Sequence, residues 1–379
     1  MIEHSIWEKE TFYNPKDIII IGSGVVGLWS AYYMKLLKPA ASILIVDRGI
    51  IPTGASTRNA GFACFGSVTE LLQDARKMGE DKMLEIVAMR YEGLKRIRKV
   101  FSKNEIGYER SGGYELITDE QYSKFKQLKN DIGWLNITLR KVIKDNKVFQ
   151  LSDKKIKNFG FKNVAHLVES KAEAKLHSGK LVHSLIRKVQ SMGVQVLTQT
   201  EVTHFEKING KIVLQTNFPF TLQSEQLLIC TNAFTKQLLP DLDVIPARGQ
   251  VLVTSPIKNL PFNGAFHFDE GFYYFRNLGN RVLLGGGRNK AFKEEETAEM
   301  ETTDLIQQEL ERFLHEVVLP KKSFSIEHRW SGIMGLGAEK MPIIKKIKKD
   351  VYCAVRMSGM GVALAPVVGE IIAHQMLSK

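Results

Sequence analysis

The feature that most constrains this chain lies near its start. Asp17-Ile18-Ile19-Ile20-Ile21 runs into Gly22-Ser23-Gly24-Val25-Val26-Gly27, a helical pattern continues to Leu37, and a second apolar run, residues 42–46, ends at Asp47. Strand, glycine turn, helix and strand in that order form a crossover of the kind that builds a parallel sheet. A Gly-rich turn at the end of a parallel strand lets the backbone approach a pyrophosphate, and the helix that follows aims its free N–H groups and positive dipole end at it. Gly22 permits the tight turn, Gly24 the close approach and Gly27 the contact between helix and strand. Asp47 stands about twenty residues beyond the last glycine, where a carboxylate can accept ribose hydroxyls. Glycines used for packing alone leave Asp47 unexplained, so the stretch reads as the seat of the ADP half of a dinucleotide.

The chain has 379 residues, enough for about two domains. It is 44% hydrophobic and 25% charged, which excludes a disordered chain. The formal net charge of +12 is spread along the sequence, with local clusters such as residues 345–350, and reads first as a solvated basic surface. Three dispersed cysteines, Cys64, Cys230 and Cys353, form neither a disulfide framework nor a zinc motif, and no metal is expected. The N-terminal stretch carries acids, and no run reaches the ~18 apolar residues of a membrane span, so a soluble, cytoplasmic protein is expected.

Further along, apolar spacing predicts helix over 69–103 and over 169–190, strands around 107–118 and 136–143, and a strand-rich region over 246–288. The stretch 225–234 reads as a buried strand ending in polar Thr231-Asn232, and a last helix at 302–318 precedes the glycine-rich C-terminal region. No linker separates two halves, which suggests two interleaved domains. The expected dinucleotide domain comprises 1–70, 150–240 and 325–379, and the substrate domain 71–149 and 241–324.

A resemblance sharpens this reading. The blocks at 54–62 (GASTRNAGF), 230–235 (CTNAFT), 246–254 (PARGQVLVT), 271–287, 330–344 (WSGIMG…MPII) and 358–370 (SGMGVALAPVVGE) resemble, in order, those of D-amino-acid-oxidase-type FAD-dependent oxidoreductases, the group of glycine and sarcosine oxidases. The resemblance implies an α/β fold, in which a Rossmann-like FAD-binding domain with a parallel sheet is interleaved with an antiparallel-sheet substrate domain. It implies non-covalent FAD held by Gly22, Gly24, Val25, Val26, Gly27, Asp47 and Arg48. Along the flavin it implies the loop Ala55, Ser56, Arg58, Asn59, Ala60 and Gly61. Val202 would meet the adenine by its backbone, Thr231 and Asn232 would sit near the ribose, and Gly359, Met360, Gly361 and Val362 would open a helix facing the flavin.

The chain departs from the family pattern at the substrate end. Met334 and Gly359 fall where glycine-oxidase-like enzymes place arginines for a substrate carboxylate. Gly332 stands near the flavin-linking cysteine of sarcosine oxidases, and Leu283 or Leu284 takes the place of a lysine beside the flavin. Candidate anchors are Arg356, Arg276, Tyr274 and Arg58, with Tyr273 a further lining residue if strand alternation turns it inward. Each competes with a purely structural role, as do the candidate bases His267 and His328, and Cys64 reads best as a small buried residue. The catalytic residues are not assigned, because family chemistry moves hydride directly from the carbon next to nitrogen to flavin N5. The expected function is oxidation of an amine or amino acid among small polar substrates, with O2 or another carrier as electron acceptor. The alternatives are a flavoprotein of tRNA base modification, opposed by diffuse charge without aromatic–basic interleaving, and an FAD-stabilised assembly factor without catalysis.

Overall fold

The computed structural model describes residues 4–122 and 126–378, so residues 1–3, the start of the acid-bearing N-terminal stretch, lie outside it. The chain forms two compact units, the first made of 1–57, 179–247 and 334–379, the second of 58–178 and 248–333.

The first unit is built on an eight-stranded sheet in the order Ile343–Lys348, Val351–Val355, Thr221–Ile229, Lys16–Ile21, Ile43–Val46 and Gln195–Leu197. A hairpin, Val202–Ile208 with Lys211–Thr216, attaches to Thr221–Ile229. Lys16–Ile21 pairs in parallel with both Thr221–Ile229 and Ile43–Val46, and Val351–Val355 joins Thr221–Ile229 in parallel. Ile18, Ile19 and Ile20 are buried on both faces, as four uninterrupted isoleucines require. Helix Val25–Leu37 packs against the C-terminal helix Gly361–Leu377. The two approach closely because Gly369 lacks a Cβ, which would come within 2.8 Å of the Ser30 backbone nitrogen. At the entry to this sheet, Asp17 accepts bonds from the Ser42 backbone (2.7 Å) and hydroxyl (2.8 Å), fastening the first two strands together.

The second unit holds the other eight-stranded sheet, in the order Ile326–Leu336, Ile245–Thr254, Arg281–Gly286, Tyr273–Leu278, Ala265–Phe268, Gly113–Thr118, Val164–Ser170 and Gln150–Leu151. Its pairing is antiparallel at most junctions and parallel between Ala265–Phe268 and Gly113–Thr118. One face carries an aromatic core in which Phe266 and Phe275 stack at 4.6 Å, covered by helix Asp304–Phe313. Helices Val68–Met78, Glu80–Val100 and Leu128–Leu139 bury a separate cluster with Ile117 and Val168.

Two expected elements differ. The stretch 169–177, rich in Glu, Lys and Ala, is not helical: Glu169 and Ser170 pair with Tyr114 and Gly113, and Ala174–Lys175 forms a short strand, so that helix begins only at Ser178. Sheet partners distant in sequence override its helix propensity. Conversely, the branched residues at 136–139 end a helix, because Ile132, Leu135 and Leu139 share one buried face. The same ladder moves the segment 150–178 into the second unit, against the sequence-based boundary.

Candidate functional site

Parallel strands deliver their carboxyl ends to one edge of the first sheet, and four of them end in the expected motifs. Ile21 leads into Gly22, Val46 into Asp47, Ile229 into Thr231-Asn232, and Val355 into the loop that reaches Gly361. That edge is where open α/β sheets bind ligands.

The glycine turn has the required geometry. Gly22 has φ +106°, and a Cβ there would stand 2.8 Å from the Cys230 carbonyl oxygen. A Cβ on Gly27 would stand 2.0 Å from the Gly22 carbonyl, so only glycine lets the helix pack this close. Gly24 caps the helix without a side chain of its own, and a Cβ there would meet the Ser56 hydroxyl at 2.9 Å. That hydroxyl accepts the Val25 N–H at 3.0 Å, and Val26 and Gly27 complete the first turn. Asp47 is half-buried beside the turn: Oδ2 accepts the Ser23 N–H (2.8 Å) and hydroxyl (2.6 Å), and Oδ1 accepts the Gly49 N–H (2.9 Å). Arg48 lies over the Phe234 ring at 3.9 Å with Glu201 at 3.9 Å. Val202 is buried at the start of its strand.

Asn232 has φ +44°, and its side-chain oxygen accepts the Met357 N–H at 3.3 Å, tying the ends of two parallel strands together. The loop after Val355 holds Arg356, Ser358 and Gly359 at positive φ. Two non-glycine residues in that region mark a backbone held against its preference, a frequent property of ligand loops. Buried Ser358 Oγ has no partner among the described residues, and Met360 caps the helix whose first residues are Gly361 and Val362. A glycine cradle, a helix start without its own side-chain cap, a carboxylate at the second strand's end and an orphaned buried hydroxyl together fit a dinucleotide.

Within the second unit, the loop expected along the flavin is tightly shaped. Asn59 accepts from the Gly61 N–H (2.9 Å) and the Ser178 hydroxyl (2.6 Å). Gly61 has φ +72°, and a Cβ there would stand 2.3 Å from the Leu176 carbonyl. Arg276 is buried and donates through Nη1 to the carbonyls of Leu176 (2.6 Å), Gly61 (3.0 Å) and Ala60 (3.3 Å). Burial pulls its guanidinium down to about 10, with Glu109 opposing. Arg58 donates to the Ser331 carbonyl at 2.9 Å and accepts the Trp330 indole N–H on its own carbonyl at 2.9 Å. A side chain at Gly332 would stand 2.9 Å from the Arg58 Cβ, so a linking cysteine there would require Arg58 to move.

These contacts revise the anchor candidates. Arg276 holds backbone and Arg356 pairs with Asp243 (Nη1 to Oδ2, 2.6 Å) while Nε donates to the Met341 carbonyl, so both guanidinium groups have local partners. Tyr273 faces the aromatic core and donates to Glu309 at 2.6 Å, so alternation turns it away from Tyr274. Tyr274 is half-buried on the opposite face with Phe62, Leu283, Val251 and Ala60, and burial pushes its phenol up to about 12. Leu283 therefore occupies that face, while Leu284 belongs to the core. His328 is exposed. Met334 and Gly359, far apart in sequence, are adjacent: a Cβ on Gly359 would lie 3.3 Å from the Met334 sulfur.

Sequence reasoning missed one cluster, Cys64, Glu173 and His267, whose donor atoms lie within 4.8 Å of one another. Nothing in their spacing announces it, because three separate segments supply them.

A glycine cradle at the carboxyl edge of a parallel sheet and a second, largely antiparallel unit define a dinucleotide-binding protein of two units. The sequence model of the DAO family, described as FAD dependent oxidoreductase, matches residues 17–375, and the chain belongs to that family. It is 23% identical to a probable oxidoreductase, OrdL, of Haemophilus influenzae, covering 95% of this chain and 83% of that protein. It is also 23% identical to the gamma-glutamylputrescine oxidoreductase of Escherichia coli, covering 94% and 83%. Among solved structures, the fold matches L-proline dehydrogenase from P. horikoshii at TM-score 0.74 and 19% identity, covering 97% of this chain and 94% of that one. Glycine oxidase from Bacillus cereus matches at TM-score 0.74 and 16% identity, covering 95% and 94%. The protein is therefore an FAD-dependent oxidoreductase. Among the described residues, no helix is long and apolar enough to cross a membrane.

Proposed function

We propose that this enzyme oxidises the carbon next to an amine nitrogen in a small polar substrate that is not held by an arginine–carboxylate clamp. The observation carrying this reading is the adjacency of Met334 and Gly359. A carboxylate leaving water for a dry pocket needs a charged and preferably bidentate partner, and neither residue supplies one. The commitment of Arg356 to Asp243, and of Arg276 to three carbonyls, supports the same conclusion. The gamma-glutamylputrescine oxidoreductase among the relatives is named for a putrescine conjugate, which favours amines over simple amino acids.

When bound, FAD supplies the hydride acceptor. The residues of this chain shape and support its place: Gly22, Gly24 and Gly27 keep the backbone close, Asp47 fastens the turn, and Arg276 fixes the carbonyls of the loop at Ala60 and Gly61. The helix N-terminus at Gly361 contributes positive potential that favours negative charge on a group before it.

The test is anaerobic reduction of the bound flavin by a panel of amines, N-substituted amino acids, glycine and D-alanine. Amines should reduce it rapidly and glycine slowly, and Met334→Arg should accelerate reduction by glycine by about tenfold or more, since 1.4 kcal/mol of recovered binding is tenfold. Fast reduction of the wild type by glycine or D-alanine refutes the reading.

A further inference from the structure

Cys64 lies in a setting that the flavin fold does not require. It follows the short strand Phe62–Ala63, which pairs antiparallel with Ala174–Lys175 in a register that sets Ala63 against Ala174. That register brings Cys64 beside Glu173, whose Oε1 also accepts the Phe65 N–H at 3.1 Å. His267, on strand Ala265–Phe268, places Nε2 3.3 Å from Glu173 Oε2. From helix Glu80–Val100, Arg90 points Nη2 at the Cys64 sulfur at 3.5 Å, while its Nη1 pairs with Glu70 at 2.8 Å.

We infer that Cys64 is a nucleophilic site that takes a hydroperoxide, with His267 as its proton donor, Glu173 as the residue that positions the imidazole, and Arg90 as the cation that steadies the sulfur anion.

Four elements converge on this cluster, in which Arg90, His267 and the Glu173 carboxylate all lie close to the sulfur. Two cationic groups, Arg90 and the His267 imidazolium, face the sulfur. Glu70 engages Arg90, Glu173 engages His267, and Glu115, level with His267 on the neighbouring strand, is held by Ser67 and Thr69. Burial works against a charged imidazole here, yet the hydrogen bonds to Cys64 and Glu173 hold His267 well above its ordinary value. A cationic neighbour lowers the cost of the thiolate, the form of cysteine that reacts.

Access selects the co-reactant. Cys64 is half-buried, whereas His267 and Glu173 are 5% and 1% exposed, so a small neutral electrophile suits the cluster better than a bulky one. A peroxide also uses both partners. The thiolate attacks one peroxide oxygen, an S–O bond forms and the O–O bond breaks. The departing hydroxide takes the imidazolium proton and leaves as water. Sulfur is oxidised to the sulfenic acid and the peroxide is reduced. Cys230 and Cys353 belong to the other unit, so no second thiol in this unit condenses with the product. A metal bound by Cys64, Glu173 and His267 is the competing use of the same atoms, and the Arg90 charge against the sulfur opposes it.

The inference does not depend on the substrate of the flavin. In the FAD-loaded protein, iodoacetamide should alkylate Cys64 well ahead of the buried Cys230 and Cys353. Hydrogen peroxide with dimedone should label Cys64 and leave the buried Cys230 and Cys353 unlabelled, as peptide mapping reads directly. His267→Asn and Glu173→Gln should slow formation of the dimedone adduct at Cys64 by about tenfold. Should either variant fail to fold, the wild-type labelling alone decides. Alkylation of Cys64 no faster than that of Cys230 and Cys353, no dimedone adduct at Cys64, or one equivalent of tightly held zinc whose removal alone exposes Cys64 overturns the proposal.

Discussion

Replacing Asp47 by alanine isolates what one carboxylate does for the cofactor. A carboxylate offers about four acceptor positions, two on each oxygen. Oδ2 already accepts both the N–H and the hydroxyl of Ser23, and Oδ1 accepts the Gly49 N–H. One position on Oδ1 therefore remains for a ribose hydroxyl, unless a second hydroxyl displaces that of Ser23. A hydrogen bond to a charged group contributes about 1.5–3 kcal/mol. Asp47→Ala should accordingly weaken FAD binding by about ten- to a hundredfold, at 1.4 kcal/mol per tenfold. The same change removes three bonds that exist before FAD arrives, so the apoprotein should also lose about 1 kcal/mol or more, part of the full loss being recovered by water at this half-buried position. Titration of the apoprotein with FAD, followed by flavin fluorescence, reads the first effect, and urea unfolding of the apoprotein reads the second. A dissociation constant within twofold of wild type refutes the ribose contact, and an unchanged urea midpoint refutes the anchoring of the turn.

Other outcomes follow from the same contacts. Acid or heat denaturation should release all flavin into solution, because Gly332 leaves no cysteine near the usual linking position and Arg58 fills the space beside it; flavin that stays with the denatured chain contradicts this. Gly27→Ala should abolish FAD retention on a desalting column, since its Cβ would overlap the Gly22 carbonyl, and a fully yellow variant would show that the helix can shift. Arg356→Leu should lower the unfolding midpoint by about 1–3 kcal/mol equivalent by unmaking the pair with Asp243, while leaving KM for the best amine within about twofold. A large KM effect with unchanged stability would return Arg356 to the substrate. Asp17 is held below the usual carboxylate range, chiefly by the Ser42 N–H. Its stabilisation is present above the unfolded-state value and is lost as pH falls through the lower folded-state value. Asp17→Asn should thus destabilise the protein at pH 7, and the gap to wild type should close in acid; a gap independent of pH is the contrary result.

The sequence by itself determined the dinucleotide cradle, because that information is local. Four isoleucines, three glycines and an acid at the right interval specify a buried strand, a turn that excludes side chains and a carboxylate at the next strand's end, and all stand within one crossover. Resemblance extended the reading to the blocks that follow other strands of the same sheet. The substrate end was less legible, since its meaning depends on which face a strand presents and on what fills the space beside each charge. Only the tertiary structure turned Tyr273 into the core and Tyr274 away from it, and chose Leu283 over Leu284 for the open face. It likewise engaged Arg356 with Asp243 and Arg276 with three carbonyls, where the sequence showed only two available cations. The stretch 169–177 is the clearest case: its residues favour helix, and pairing of Glu169 and Ser170 with Tyr114 and Gly113, and of Ala174–Lys175 with Phe62–Ala63, keeps it out of one. The separate pairing of Phe62–Ala63 with Ala174–Lys175 then sets Glu173 beside Cys64 and close to His267, a cluster no local pattern encodes because long-range register alone assembles it.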